Sequence, residues 1–274
     1  MPKGILRYAV LLAFCVQCLP VQSQAPVFHV IAFFSHNEDQ GHKSFVHEAN
    51  RWFPEMASLH HFTYDSTNDW RNLNDNFLSH YQLIIFLDSR PDSLPQREAF
   101  QRFMERGGAW MGFHFAAFAL TPSAFPQNWD WYHEKFIGAG EWKGNTWRPT
   151  SAILRMENRT EPYARNMPDT FKASPNEWYK WTNDLRRNPD IKIIASIDSS
   201  SFPLGTGPKL YEIWHSGYYP VVWTNTRYRM IYFNMGHNDI DYDHGNRDLS
   251  HTFGNPWQDK LILEALIWLG GHTK

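Results

Sequence analysis

Three apolar segments in the first half of the chain constrain its fold more than any other feature. Residues 27–34, 81–87 and 109–113 are nearly continuous runs of apolar side chains. Such runs are typical of strands that are covered on both faces. The segments between them, residues 44–56 and 94–106, have the spacing of amphipathic helices. This alternation predicts an α/β fold, a three-layer sandwich with helices on both faces of a mostly parallel central sheet.

The second half of the chain predicts further strands at closer spacing. Short runs without long helices between them indicate antiparallel additions to the same sheet towards the carboxyl terminus. No internal repeat or long linker divides the sequence, so we expect one domain over residues 27–270. The expected strands are residues 59–64, 150–156, 191–197, 209–214, 220–225 and 230–235, with helices at 129–137 and 257–269.

The amino terminus has the pattern of a secretory signal peptide over residues 1–23. A short basic region with Lys3 and Arg7 precedes an apolar run too short to span a bilayer, and small residues then stand before a cleavage point at Ser23. The alternative is a buried amino-terminal helix. Cleavage would place the protein in the periplasm or outside the cell. It would also remove both cysteines, Cys15 and Cys18, and leave a mature chain without thiols.

Composition limits the partners of the mature chain. Removal of Lys3 and Arg7 leaves 24 basic against 28 acidic residues, so the net charge changes from -2 to -4. Such a chain has no electrostatic reason to bind nucleic acid or anionic lipid, and no later apolar run is long enough for membrane insertion. The 13 Trp and 12 Tyr are more informative. Many stand beside Asn, Asp and His, and aromatic faces with polar rims suit a small-molecule carbohydrate.

Two histidines each follow an apolar strand. Gly112-Phe-His114-Phe-Ala116 has the shape of a nucleophile elbow, Gly-x-nucleophile-x-small, with histidine in the nucleophile position. Gly236-His237 repeats the arrangement after the strand predicted at 230–235. Ligands bind outside the carboxyl ends of parallel strands, so both imidazoles are candidate acid-base groups. The alternative is that each histidine is buried and bonded to the backbone.

Two more residues are candidates for the same catalytic site. Glu177 lies in Asn-Glu-Trp-Tyr, where neighbouring rings would desolvate a carboxylate and suit it to proton transfer. His42 follows the first strand, although Ser44 beside it could simply cap the next helix. Glu177 could equally be an exposed loop residue.

The order of these motifs resembles the ThuA-like family, which is named for trehalose utilisation. The resemblance rests on Gly41-His42-Lys-Ser44, Gly112-Phe-His114, Trp131-Tyr132, Glu177-Trp-Tyr179 and Pro220-Val-Val-Trp223 through His237. It implies a flavodoxin-like fold akin to class I glutamine amidotransferase domains. It also implies an association with trehalose and related disaccharides, including their 3-keto derivatives. The chain departs from amidotransferases because His114 stands where their cysteine would be, which excludes glutamine hydrolysis through a thioester.

Aromatic and acidic residues near these motifs are candidate sugar ligands. We expect Trp131, Tyr132, Trp142 and Trp178 to form the walls of the site, and Asp239 and Asp241 to hydrogen-bond a sugar. The acidic loop that contains these aspartates fails as a calcium loop, because His244 and Ser250 stand where glycine and glutamate are needed.

The sequence assigns no metal ligand and leaves the cofactor unknown. A divalent ion held by His114, His237 and Glu177 would have suitable ligand types, but no His-x-x-x-His spacing supports it. Two classes of function therefore stay open. One is an enzyme of hydrolase, lyase or isomerase type that acts on a disaccharide or its 3-keto derivative by His/Glu acid-base chemistry. The other is a non-catalytic carbohydrate-binding accessory protein.

Overall fold

The computed structural model describes Met1 and residues 27–35, 39–146, 150–201, 217–237 and 248–271. The predicted leader with both cysteines, the strand expected at 209–214, and Asp239 and Asp241 lie outside these residues. In the described part, no helix is both long and apolar enough to cross a membrane.

The described chain forms eleven strands and four α-helices. The strands are β1 (His29–Phe33), β2 (Thr63–Thr67), β3 (Leu83–Phe86), β4 (Ala109–Phe113), β5 (Trp142–Asn145), β6 (Ile153–Met156), β7 (Thr170–Lys172), β8 (Tyr179–Trp181), β9 (Ile191–Ile197), β10 (Pro220–Asn225) and β11 (Arg229–Phe233). The helices are α1 (Gln40–His60), α2 (Asp75–Leu78), α3 (Leu94–Glu105) and α4 (Pro256–Gly271). A π-helical segment covers Trp131–Phe136.

Nine strands form one sheet, in the order β2-β1-β3-β4-β11-β10-β9-β6-β7. Each pairing from β2 to β11 is parallel, and each pairing from β11 to β7 is antiparallel. β5 and β8 form a separate antiparallel pair. The predicted sheet, parallel first and extended by antiparallel strands, is confirmed.

Side chains of β1 alternate between two hydrophobic clusters, as the two-residue period of a strand requires. Val30 and Ala32 pack with α1 and α4 on one face. Ile31 and Phe33 pack with α3 and the π-helical segment on the other. Helices therefore cover both faces of the sheet, and the carboxyl edge of its parallel strands is where a site can open.

The predicted position of the second strand is wrong. The strand expected at 59–64 begins only at Thr63, because α1 continues to His60. His61 then ends the helix in a left-handed conformation, and Phe62 is buried in the core. Because Phe62 is part of the core, this residue before Thr63 is apolar even though it is not in a strand.

Gly112 must lack a side chain because Trp110 fills the space beside it. A Cβ atom at residue 112 would lie 2.1 Å from the Trp110 ring, which is completely buried. We expect Gly112→Ala to lower the free energy of unfolding by about 1–3 kcal/mol, the usual cost of overpacking a core. Urea unfolding measures this. Gly271→Ala is the control, since nothing lies within 4 Å of its Cβ position. Equal stability of the two variants would contradict the prediction.

His133, in the π-helical segment, is buried without a hydrogen-bond partner among the described residues. Burial lowers its pKa to about 3, and the charges of Arg90 and Arg97 act in the same direction. Below pH 6.5 the unfolded chain therefore binds a proton that the folded chain does not. Stability is lost as the pH falls from about 6.5 towards 3.

We expect His133→Leu to reduce this loss. At pH 5 the contribution of His133 to the loss is about 2 kcal/mol, from 1.4 kcal/mol per pH unit. The fall in unfolding free energy between pH 7 and pH 5 should be smaller by that amount in the variant than in the wild type. Exposed His47 provides the control, because His47→Leu should keep the wild-type pH dependence. A wild-type pH dependence in His133→Leu would refute the assignment.

Candidate functional site

Two adjacent parallel strands end on residues with left-handed backbone. His114 follows β4 directly and has φ of 44°, and Asp88 lies two residues beyond β3 with φ of 46°. A left-handed backbone conformation costs about 1–3 kcal/mol for a residue other than glycine, so contacts with the surrounding residues must stabilise it. The Tyr232 hydroxyl does so for His114 by donating to its carbonyl at 2.7 Å. Both side chains are buried at the carboxyl edge of the sheet.

Two glycines allow two histidines to approach this edge. His237 follows β11, which runs parallel to β4 and so ends at the same edge. A Cβ atom on Gly236 would lie 2.5 Å from the ring of His114. A Cβ atom on Gly41 would lie 2.8 Å from Nδ1 of His237. Glycine at 41 and 236 therefore has a packing reason beyond backbone flexibility.

His42, His114 and His237 form one buried group, here called the histidine cluster. The ring centroids of His114 and His237 are 5.3 Å apart, and the ring of His42 lies 5.6 Å and 4.9 Å from them. His42 is close because it lies in the first turn of α1, which Asp39 caps through the backbone N–H groups of residues 41 and 42. The structure thus brings together three histidines that are distant in sequence.

Two carboxyl groups hold the histidine cluster. Oδ2 of Asp88 lies 3.0 Å from Nδ1 of His42. Oε2 of Glu177 lies 3.3 Å from Nε2 of His114 and 3.3 Å from Nε2 of His237. The other oxygen of Glu177 accepts a hydrogen bond from the amide of Asn145. Glu177 therefore bridges two histidines instead of lying on an exposed loop.

Backbone pairing fixes the position of Glu177. Its own N–H donates to the carbonyl of His237 at 3.3 Å. On one side, the Asn176 side chain accepts from the N–H of Gly236 at 3.2 Å. On the other, the side chain of Asn234 pairs with both backbone polar groups of Tyr179. Buried amides thus attach the Glu177 segment to the end of β11.

The site combines ionised and neutral groups. The expectation that desolvation raises the pKa of Glu177 is wrong: burial alone would raise it, but hydrogen bonds from His114 and His237 hold it well below its usual range. Burial alone would lower the pKa of His42, yet the hydrogen bond and charge of Asp88 raise it to about 9. For His114, burial dominates and lowers the pKa. Near neutral pH the site therefore holds an anionic glutamate beside a neutral His114.

The sequence analysis predicted that four aromatic residues form the walls of the site, and for three of them this prediction is wrong. Tyr132 and Trp178 are completely buried and face the core, where no ligand can contact them. Trp131 stacks on Phe136 and donates to the hydroxyl of Tyr228, at the start of β11 and away from the histidines. Trp131 and Tyr132 belong to the π-helical segment, which packs against a sheet face and not against the edge.

Other aromatic residues adjoin the histidine cluster. Tyr179 stacks on His114 with 3.9 Å between ring centroids, and Phe115 lies 5.0 Å from the ring of His42. Trp142, the remaining predicted wall, lies 6.5 Å from the ring of Tyr179. Tyr179 also lines a cavity of about 310 Å³. The remaining lining residues are Lys143, Lys180, Trp181, Asn183, Leu185, Tyr218, Tyr219 and Pro220.

Sequence reasoning missed two polar members of the site, Asp88 and Asn145. Asp88 follows an apolar strand just as His114 does, so the rule that selected His114 could have selected Asp88 as well. Asn145 carried no signal, because it ends a short strand outside the main sheet.

Comparisons with known proteins agree with this architecture. The family profile described as ThuA, trehalose utilisation, matches residues 30–268. A crystal structure described as a ThuA-like protein from Bacteroides uniformis is 31% identical, with a TM-score of 0.78, covering 90% of this chain and 93% of that one. Another, from Parabacteroides merdae, is 16% identical with a TM-score of 0.61, covering 91% and 92%, and supports the fold alone. No curated protein matches the chain.

The contact between Gly236 and His114 gives a test of the site geometry. We expect Gly236→Ala to displace the His114 ring, because the added methyl group would overlap it. Imidazole ¹⁵N–¹H correlation spectra should show altered His114 signals, with unchanged signals from exposed His47 and native circular dichroism. Stability should fall by about 1–3 kcal/mol. Unchanged His114 signals in the folded variant would show that the described packing is incorrect.

Proposed function

This chain belongs to the ThuA family, and from that premise we propose that it is an enzyme acting on a disaccharide related to trehalose or on its 3-keto derivative. The observation that carries the proposal is the position of Glu177. One carboxylate oxygen lies 3.3 Å from an imidazole nitrogen of His114 and 3.3 Å from one of His237. A carboxylate in contact with two imidazoles can orient them and stabilise the imidazolium that forms when one of them takes a proton from a substrate.

The arrangement favours proton transfer on a keto sugar over ordinary glycoside hydrolysis. Hydrolysis generally uses two carboxyl groups that flank the scissile bond. Here the second carboxyl group, Asp88, is bonded to His42, and among the described residues Glu177 is the carboxylate in contact with both His114 and His237. Removal of a proton from a carbon beside a ketone needs one base and a group that polarises the carbonyl oxygen. In this proposal Glu177 and the imidazoles it contacts act together as the base, and the negative charge of Glu177 stabilises the imidazolium that forms when a histidine takes the proton.

The cavity beside Tyr179 supports a sugar as the substrate. Its volume of about 310 Å³ lies within the range of small-molecule sites. Trp181, Tyr218 and Tyr219 offer aromatic surface, while Lys143 and Asn183 offer hydrogen-bond donors. Tyr179 connects this cavity to the histidine cluster, because its ring stacks on His114. We propose that the sugar occupies this cavity with its reacting end towards Glu177.

We also propose that the protein is exported and that its leader is removed near Ser23. The support is the basic, apolar and small-residue pattern of residues 1–23. Mass spectrometry of the mature protein should show an amino terminus close to Gln24. An intact Met1, or a lipid on Cys15 or Cys18, would contradict export by this route.

Glu177→Gln tests the catalytic proposal, because the amide keeps the shape of the side chain but has no negative charge to stabilise a protonated histidine. We expect turnover of 3-keto-trehalose or trehalose, followed by chromatography and mass spectrometry, to fall by about 100-fold or more. Glu98→Gln, at an exposed position on α3, is the matched control and should keep full activity. Both variants should show native circular dichroism.

The outcomes separate the enzyme from an accessory protein that only binds carbohydrate. Turnover by the wild type that Glu177→Gln loses, with sugar binding retained by calorimetry, supports the proposal. Sugar binding by the wild type without turnover of either substrate favours the accessory protein. Equal turnover by Glu177→Gln and the wild type would exclude Glu177 from the proton transfer.

A further inference from the structure

The histidine cluster has the composition of a metal centre. One nitrogen from each of His42, His114 and His237 lies within 4.8 Å of the other two, and all three residues are buried. Three imidazoles are a known ligand set for catalytic zinc, in which the fourth position stays open for water or substrate. We propose that these three histidines bind one divalent transition-metal ion, with zinc as the ion that their chemistry suits best.

The distances between the ring nitrogens of the three histidines would fit such an ion after a small movement of the rings towards each other. Three nitrogens at most 4.8 Å apart surround a point no more than about 2.8 Å from each. Zinc–nitrogen bonds are about 2.0–2.1 Å, so each ring would have to move inward by about 0.7 Å. The rings are already held by the backbone elements that carry them.

The carboxyl groups around the cluster occupy the positions of outer partners of a metal site. Metal-binding histidines usually donate their second ring nitrogen to a carboxylate, which orients the ring and makes it a better ligand. Asp88 contacts Nδ1 of His42, so the nitrogen left for a metal is Nε2. Glu177 contacts His114 through Nε2, so Nδ1 is the remaining nitrogen of that ring.

Nδ1 of His114 and Oδ1 of Asp88 lack a hydrogen bond to any described residue, and both side chains are completely buried. A buried polar atom without a partner costs about 1–3 kcal/mol, so such atoms call for a ligand, a water or an ion. For His114 the unused atom is the nitrogen that a metal requires.

The charges also match a cation. The buried carboxyl groups of Asp88 and Glu177 adjoin the cluster, and the exposed Asp39 lies 3.8 Å from Nε2 of His42. No lysine or arginine pairs with any of these three carboxyl groups in the described chain. Buried charges are normally paired or bound to metals. A divalent ion bound by three neutral imidazoles would balance the charges of the two buried carboxylates.

This inference goes beyond the proposed function, because metal binding can be measured without any substrate. The wild-type protein, free of any affinity tag, is stripped with a chelator and titrated with Zn²⁺. We expect about one zinc per chain by calorimetry and by elemental analysis after gel filtration. Zinc should also raise the melting temperature, since it binds the folded chain.

Single substitutions identify the ligands. His114→Gln and His237→Gln should each lose stoichiometric zinc binding while keeping native circular dichroism. His47→Gln, on the exposed side of the same helix as His42, is the control and should bind zinc as the wild type does. Asp88→Asn should bind about 10–100-fold more weakly, as expected for an outer partner. If one of these two histidine variants fails to fold, the absorption spectrum of cobalt added to the other variant, compared with that of the wild type, decides whether the histidine is a ligand.

The two proposals can fail separately. Absence of zinc binding by the wild type, or equal binding by His114→Gln and His47→Gln, overturns the metal site but leaves proton transfer by Glu177 and its histidines in a metal-free enzyme untouched. Zinc binding that depends on His114 and His237, without turnover of any sugar, supports the metal site and counts against the proposed reaction.

Discussion

The parallel pairing of β11 with β4 is the constraint on which the site depends. Their register aligns Phe233 with Phe113, so the two strands end together. His114 and the segment leading to His237 therefore leave the sheet at the same edge. An antiparallel β11 would have placed His237 at the opposite edge. β11 is also the strand at which the sheet changes from parallel to antiparallel pairing.

Close packing around the imidazole rings of the histidine cluster then fixes their relative positions. Two of the glycines have no room for a Cβ atom because imidazoles occupy that space. Left-handed backbone at His114 and Asp88 adds about 1–3 kcal/mol of strain each, which the surrounding core must offset. Strain, missing side chains and buried carboxyl groups in one small region are features of a functional site more than of a stable core.

The electrostatics follow from burial. A carboxylate as enclosed as Glu177 stays ionised only because His114 and His237 contact it. His42 and Asp88 stabilise one another in the same way. The site is thus a balanced set of charges in which removal of one member leaves another without its partner. Such coupling suits both proton transfer and the binding of a cation.

The sequence by itself determined the sheet, the helices and the candidates His114, His237, Glu177 and His42. Continuous apolar strands and helical spacing are local patterns, and a polar residue at a strand end is visible without coordinates. Only the tertiary structure decided that these four residues meet, that Asp88 and Tyr179 join them, and that Trp131, Tyr132 and Trp178 do not. The reason is physical. Side-chain direction and strand neighbours depend on long-range packing, and aromatic residues have the same signature in a core as in a binding site.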